Sequence, residues 1–254
     1  MRRTIIAGNW KMNKLFPEVE DFLFELSENL EAKDLGKIDV IICPPSLYME
    51  IATDVAVDSK FYIGAQNVND KDLGAYTGEI SACMLDSMDI DYCIIGHSER
   101  REYYSETNEM INAKVKRLQE NAIVPIICVG ETLEQREQGI TQDVILEQLN
   151  GAFKDIRIEE NVIIAYEPVW AIGTGKTATP EQAQEVHFLI RNWIRENYSP
   201  LTADNLSILY GGSMKPANTA ELLMQPDIDG GLIGGSSLDI SQFTQMIDTA
   251  LNIK

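Results

Sequence analysis

Histidine and cysteine are scarce in this chain of 254 residues. There are two histidines and four cysteines (Cys43, Cys83, Cys93 and Cys128), widely separated and without a Cys-x-x-Cys pair. That scarcity argues against a zinc site of the usual Cys/His spacing. A disulfide scaffold does not suit this size and cysteine density, so reduced thiols are expected. Long apolar runs are also missing: nothing approaches the roughly 18–20 residues needed to cross a bilayer. The N-terminal Ile5-Ile6-Ala7 is ended at once by Gly8-Asn9-Trp10-Lys11, too short for a secretory core of roughly 7–15 apolar residues. A soluble, cytoplasmic protein is expected. Basic charge is the last shortage. Lysine and arginine number 21 against 40 aspartates and glutamates, a formal net charge of −19. That charge argues against a general nucleic-acid or anionic-membrane binder, since both need a basic surface. The same charge should repel small anionic metabolites, so any such ligand needs a local source of attraction.

Hydrophobic residues make up 44% of the chain, enough for a substantial core. Short, β-branched apolar runs begin near Ile5, Ile38, Phe61, Tyr92, Ile123, Val162, Leu206 and Gly230, roughly 32 residues apart, which suits one strand plus one crossover helix each. Between them the period turns helical. Val19, Phe22, Leu23, Leu26 and Leu30 share a face, as do Ile111, Val115 and Leu118. Ala183, Val186, Ile190, Trp193 and Ile194 repeat the pattern, and so do Phe243, Met246, Ile247, Ala250 and Leu251. The strand runs are apolar at nearly every position (Val40-Ile41-Ile42-Cys43, Val162-Ile163-Ile164-Ala165), as in parallel sheets covered by helices on both faces. No linker or low-complexity segment interrupts the series, so residues 1–254 read as one domain. Eight βα units match a closed (β/α)8 barrel, with an open doubly wound sheet as the alternative that periodicity leaves standing.

In either architecture chemistry gathers where parallel strands end. Here the first strand runs into Gly8-Asn9-Trp10-Lys11, the third into Gly64-Ala65-Gln66-Asn67, and the fourth into Gly96-His97-Ser98-Glu99. The sixth ends in Tyr166-Glu167-Pro168, the seventh in Gly211-Gly212-Ser213 and the eighth in Gly234-Gly235-Ser236. Each piece alone has an ordinary explanation: a solvated lysine, a structural histidine, a glutamate made extended by the proline after it, a glycine turn. Their convergence on one mouth points to a site.

Three motif readings fail. Gly175-Lys176-Thr177 imitates the end of a P-loop, but Trp170 stands where that pattern needs glycine. Gly173-x-Gly175 imitates a dinucleotide fingerprint, yet eight residues including Pro168 separate it from the strand. Gly96-His97-Ser98-Glu99-Arg100 and Gly211-Gly212-Ser213-Met214-Lys215 lack the second glycine of a nucleophile elbow. Pro168 to Thr177 reads better as a lid of about ten residues, with an apolar tip of Val169, Trp170, Ala171 and Ile172 exposed when open and closing over a substrate to exclude water.

The segments Ala7-Gly8-Asn9-Trp10-Lys11-Met12-Asn13, Ile95-Gly96-His97-Ser98-Glu99-Arg100-Arg101, Ala165-Tyr166-Glu167-Pro168-Val169-Trp170-Ala171-Ile172-Gly173-Thr174-Gly175 and Tyr210-Gly211-Gly212-Ser213 closely resemble the triosephosphate isomerase family, in order, from about Thr4 to Leu238. The resemblance implies a closed (β/α)8 TIM barrel, α/β in class, with eight parallel strands and an outer ring of helices. It implies interconversion of dihydroxyacetone phosphate and D-glyceraldehyde 3-phosphate in glycolysis and gluconeogenesis, with no cofactor and no metal. Glu167 would be the base, His97 the electrophile, Lys11 a fixed positive charge and Asn9 an oriented amide donor. Glu99 is a further polar residue near Lys11. The pairing of a glutamate base with a neutral histidine, for which this family is itself a standard illustration, is carried over from the resemblance. The phosphate would meet backbone N–H groups of Gly173, Ser213, Gly234 and Gly235, where a Cβ would hold the amides away.

The resemblance also implies a homodimer. The long loop from Gln66 to Ser81 would be its arm, Gln66 and Thr77 contributing the contact and Thr77 steadying Asn9 and Lys11 of the partner. Two places depart from the family pattern: Ser236 where alanine is usual, and Asn69-Asp70-Lys71-Asp72-Leu73 within the arm. Cys128 is expected to be a packing residue near the site and His187 structural. A sugar-phosphate epimerase would reuse the glycine turns, but such enzymes lean on metal ligands and this chain has too few histidines.

Overall fold

The structure is a computed structural model and describes residues 2–158, 162–172 and 177–253. Eight strands pair in parallel and in sequence order, and the eighth returns to the first: β1 (Thr4–Asn9), β2 (Ile38–Cys43), β3 (Tyr62–Ala65), β4 (Tyr92–Ile95), β5 (Val124–Val129), β6 (Ile163–Tyr166), β7 (Ile208–Tyr210) and β8 (Gly230–Ile233). Closure runs through β1, where Ile6 pairs with Val40 on one side and Gly231 on the other. The sequence leaves the barrel and the open sheet both possible; this pairing is the barrel.

Alternation along the strands divides the apolar residues into two layers, because successive side chains of a strand point to opposite faces. Ile5, Ala7, Ile41, Cys43, Ile94, Ile126, Cys128, Ile163, Ala165, Leu209 and Leu232 fill the barrel interior as one buried cluster. The other face of the same strands, with Ile6, Ile42, Ile95, Ile127, Ile164 and Ile233, packs on the helices as a second. This two-sided burial explains why the strand runs lack polar alternation. At the first residue of β8 the barrel closes tightly: Gly230 has φ +145°, and a Cβ there would fall 1.9 Å from the carbonyl oxygen of Ile5.

The helices bury the faces expected from their period. Phe16–Glu31 buries Val19, Phe22, Leu23, Leu26 and Leu30. Pro180–Asn197 begins on a capping box formed by Thr179 and Gln182, which fixes where the chain re-enters regular structure after the lid segment. No described helix is long and apolar enough to cross a membrane. The fold thus delivers Asn9, His97, Glu167, Gly211 and Gly234, each immediately following or ending its strand, to one rim.

Candidate functional site

A cavity of about 500 Å³ opens at this rim, a size ordinary for a small-ligand site. Asn9, Lys11, His97, Glu99, Glu167, Ser213, Gly234 and Gly235 all line it, so five strand ends contribute to one space.

Glu167 lies at its buried end, 2% exposed. Its backbone N–H donates to the carbonyl of Val129 at 2.7 Å, seating it between β5 and β6. The carboxylate accepts from His97 Nε2 at 2.8 Å through Oε1 and from the backbone N–H of Ser98 at 2.9 Å through Oε2. Burial pushes its pKa up, but the His97 ring, the Ser98 N–H and the Lys11 charge outweigh burial, and the net direction is down. Glu167 is held ionised.

His97 caps the helix Ser98–Tyr103, and its Nδ1 accepts the backbone N–H of Glu99 at 3.3 Å. An acceptor at Nδ1 places the proton of a neutral ring on Nε2, facing Glu167. Burial lowers the pKa of His97, whereas the charge and hydrogen bond of Glu167 raise it and prevail in this contact. The ring is therefore poised between two states by one partner.

Lys11 adopts φ +53°, a left-handed conformation uncommon for a residue with a Cβ. Three contacts hold it there. Its N–H donates to Asn9 Oδ1 at 3.1 Å, its carbonyl accepts from Gln66 Nε2 at 2.9 Å, and its Nζ lies 2.5 Å from Glu99 Oε1. Gln66 also donates to the carbonyl of Cys43 at the end of β2. Beside its expected interface position, Gln66 thus clamps the lysine turn within its own chain. Thr77 is exposed on the arm and makes no such contact in the single chain.

The glycine turn after β7 packs on the base itself. A Cβ on Gly211 would come 2.8 Å from Glu167 Cγ, and one on Gly212 would reach 2.9 Å from Pro168 Cγ. A Cβ on Gly130 would meet the Glu167 carbonyl oxygen at 1.7 Å. From the sequence, Ser213 at the end of this turn is expected to bind phosphate, while Gly211, Gly212 and Gly130 have no assigned contact with the base. Their close approach to Glu167 joins segments far apart in the chain, which local pattern does not carry.

The first part of the lid differs from expectation. Val169, Trp170 and Ile172 are half-buried and Ala171 is buried, not exposed. Val169–Ala171 form a 3-10 turn whose Trp170 Nε1 donates to Glu131 Oε1 at 3.0 Å. Tyr166 and Arg136 donate to the same oxygen. Glu131, fully buried and overlooked in the sequence, anchors the lid by an indole N–H that would otherwise need water.

Cys128 is fully buried in the barrel interior, and burial followed by the Glu167 charge pushes its thiol pKa well up. It is a packing thiol, as expected. His187 is buried against Tyr166, the last residue of β6, and lines neither cleft at the rim.

A family model described as triosephosphate isomerase matches residues 4–250. Triosephosphate isomerase of Bacteroides fragilis is 50% identical over 250 residues, 98% of this chain and 99% of the relative. That of Chloroherpeton thalassium is 48% identical, covering 98% and 100%, and that of Hahella chejuensis 46%, covering 99% and 100%. The chain belongs to the triosephosphate isomerase family.

Of the residues expected at the site from the sequence, Asn9, Lys11, His97, Glu99, Glu167, Ser213, Gly234 and Gly235 converge on the cavity. Gly173 lies outside the described residues. Ser236, the departure after the glycine pair, also lines the cavity, and so does Lys215, which sequence reading passed over. The charges there nearly balance: Lys11 and Lys215 face Glu99 and Glu167. Side chains thus leave the mouth about neutral on a chain of net charge −19, and its attraction for an anion depends on Lys11 and the backbone amides.

Proposed function

We propose that this chain interconverts dihydroxyacetone phosphate and D-glyceraldehyde 3-phosphate through an enediolate, acting in glycolysis and gluconeogenesis as a single barrel domain. The observation that carries the reading is an ionised, buried Glu167 in contact with His97 at a cavity that also holds Lys11 and two glycine turns.

Glu167 takes the proton alpha to the substrate carbonyl and returns it to the neighbouring carbon. Negative charge develops on the carbonyl oxygen and is met by His97 Nε2–H, by Lys11 and by the Asn9 amide. To act, Glu167 gives up the Ser98 N–H and its contact with His97. Losing that contact removes the chief cause that raises the histidine pKa and leaves burial and Lys11, which lower it, against Glu99 alone, which raises it. The ring then donates as a neutral imidazole. The phosphate rests on backbone N–H groups of Ser213, Gly234 and Gly235, with Gly173 joining from the closed lid. No step requires a metal or a cofactor.

The active form is a homodimer in the cytoplasm. Support for the dimer comes from Met12, 95% exposed, and from exposed Tyr103 and Tyr104, which line a second cleft with Gln66 and Gly78 beside the site. Isolated apolar groups are ordinary on a surface; a contiguous set flanking a site suits an interface. Thr77 of one arm would then contact Asn9 and Lys11 of its partner.

Purified protein with dihydroxyacetone phosphate, in an assay coupled to glyceraldehyde 3-phosphate consumption, tests the activity. Turnover undiminished by a chelator is expected. Absence of product removes the isomerase reading, and chelator-sensitive turnover favours a metal-dependent epimerase.

A further inference from the structure

Arg101 lies four residues after His97, in the helix Ser98–Tyr103. Its guanidinium makes three hydrogen bonds: Nε to the Gly96 carbonyl at 2.8 Å, Nη1 to Asn108 Oδ1 at 2.7 Å and Nη2 to the Cys128 carbonyl at 3.1 Å. All three acceptors are neutral. Among the described residues no carboxylate forms an ion pair with it, although the chain holds 40 acidic side chains. Arg2, Arg3, Arg100, Arg136 and Arg191 each have such a partner. A half-buried cation without a counter-ion is costly, and neutral donors could satisfy two carbonyls at less expense.

The two carbonyls it grips are the neighbours of the reacting groups. Gly96 precedes His97 and turns the chain at φ +69°. Its N–H is held from the other side by Glu106 Oε2 at 3.2 Å, and a Cβ on it would come 3.2 Å from Arg101 Nη2. Cys128 precedes Val129, whose carbonyl seats the backbone of Glu167. One planar fork therefore spans β4, which delivers the imidazole, and β5, whose end seats the backbone of the acid that follows β6.

We propose that Arg101 is a positioning residue of the proton shuttle, fixing the separation of His97 from Glu167 through the Gly96 and Cys128 carbonyls and lending the carboxylate a positive field. The inference rests on the isomerase reading for the identity of the shuttle, but not for the contact itself. The charged and titratable groups around Glu167 are His97 and Lys11, with Glu99 beyond them, then Cys128, Glu106 and Arg101. Burial lowers the Arg101 pKa, while Cys128, Glu106 and Glu167 pull it back up, so arginine and carboxylate feel each other's charge. Lysine cannot replace the fork, since its compact ammonium lacks the fixed geometry to reach both carbonyls.

The test uses the full chain with Arg101→Lys, which keeps the charge, and Arg101→Gln, which removes it. Circular dichroism and melting establish folding. In both variants kcat is expected to fall about tenfold or more with KM changed less than about threefold, because geometry and not ground-state binding is lost. Carbon-13 NMR of labelled glutamate, with Glu167 assigned by its absence in Glu167→Gln, reads the carboxyl directly. Its titration is expected to move to higher pH in Arg101→Gln and to hold its place in Arg101→Lys, a separation that general loosening of the fold would not produce. Values of kcat within about twofold of the parent in both folded variants, or an unmoved titration in Arg101→Gln, overturn the proposal. Should Arg101→Gln not fold, Arg101→Lys decides, and unchanged kcat overturns it. An inactive parent removes the isomerase reading alone, since the titration needs no substrate.

Discussion

His97 Nε2 stands 2.8 Å from Glu167 Oε1, and each group is buried. Two titratable side chains, following β4 and β6, thereby share one hydrogen bond, and each biases the other's protonation. On the proposed reading, a substrate that enters between them breaks the bond and separates their roles into base and neutral donor. Glu167→Gln keeps the size and the hydrogen-bonding shape but cannot accept a carbon-bound proton. Turnover should fall about 10²–10⁴-fold while the near-ultraviolet circular dichroism stays native. Near-normal turnover removes Glu167 from the base role.

Gly211 tests the same carboxylate through its packing. A methyl group there must displace Glu167 Cγ, which a Cβ would approach to 2.8 Å. A shift of about 1 Å in a reacting group can cost about 10²-fold in rate, so Gly211→Ala should reduce kcat by that order. Phosphate affinity should change much less, because Ser213, Gly234 and Gly235 are untouched. Steady-state kinetics with a competitive phosphate inhibitor separates the two effects. Equal losses in kcat and inhibitor binding would contradict the packing argument.

Much of this was legible beforehand, and the boundary is physical. The eight apolar runs begin within a residue or two of the observed strands, and the apolar stripes are the buried helix faces, since both follow from period and burial. The polar residues at strand ends were legible because a parallel barrel sends every such end to one rim. Glu131 under Trp170, Gly211 against Glu167 and Arg101 across two strands were not. Each is a contact between distant segments, and no local period encodes which polar group meets which. The lid tip misled for a related reason. Apolar side chains in a loop suggest exposure, whereas the indole N–H found a buried carboxylate.

On the proposed reading, Lys11 draws an anionic substrate to a chain with net charge −19. Lys11→Met keeps the length of the side chain and removes the ammonium, leaving Glu99 without its partner at 2.5 Å. A charged hydrogen bond is worth about 1.5–3 kcal/mol, so a phosphate-bearing inhibitor should bind roughly 10–100-fold more weakly by calorimetry. The loss should shrink at high salt because the mouth is open to solvent. Unchanged affinity would contradict the role.

Association can be read without substrate. Sedimentation at micromolar concentration should give a dimer of this 28.5 kDa chain. Leu47 is 81% exposed on the rim beside β2, and Leu47→Glu should shift the equilibrium toward monomer if the apolar rim is the contact. Monomer in the parent at all concentrations would sink the dimer reading.

The last prediction concerns His187, whose ring lies wholly buried and T-shaped against Tyr166. Its Nδ1 donates to the Asp227 carbonyl at 3.2 Å, and Nε2 has no partner among the described residues. Burial pushes its pKa down to about 3, from an unfolded value near 6.5. The sign follows directly. Between those values the unfolded chain binds the proton and the folded chain does not, so this contribution to stability is complete above about pH 6.5 and is lost as pH falls toward 3. The full loss is about 5 kcal/mol, at a limiting slope of about 1.4 kcal/mol per pH unit. His187→Gln removes the titration while carrying its own fixed cost, so the slope and not the absolute stability is the readout. Urea unfolding at one protein concentration, compared at pH 7.5 and pH 5, should show a smaller acid loss in the variant than in the parent. Carboxylates that titrate over the same range cancel in that difference. Parallel slopes would mean that His187 is already protonated in the fold, and its burial beside Tyr166 would need another account.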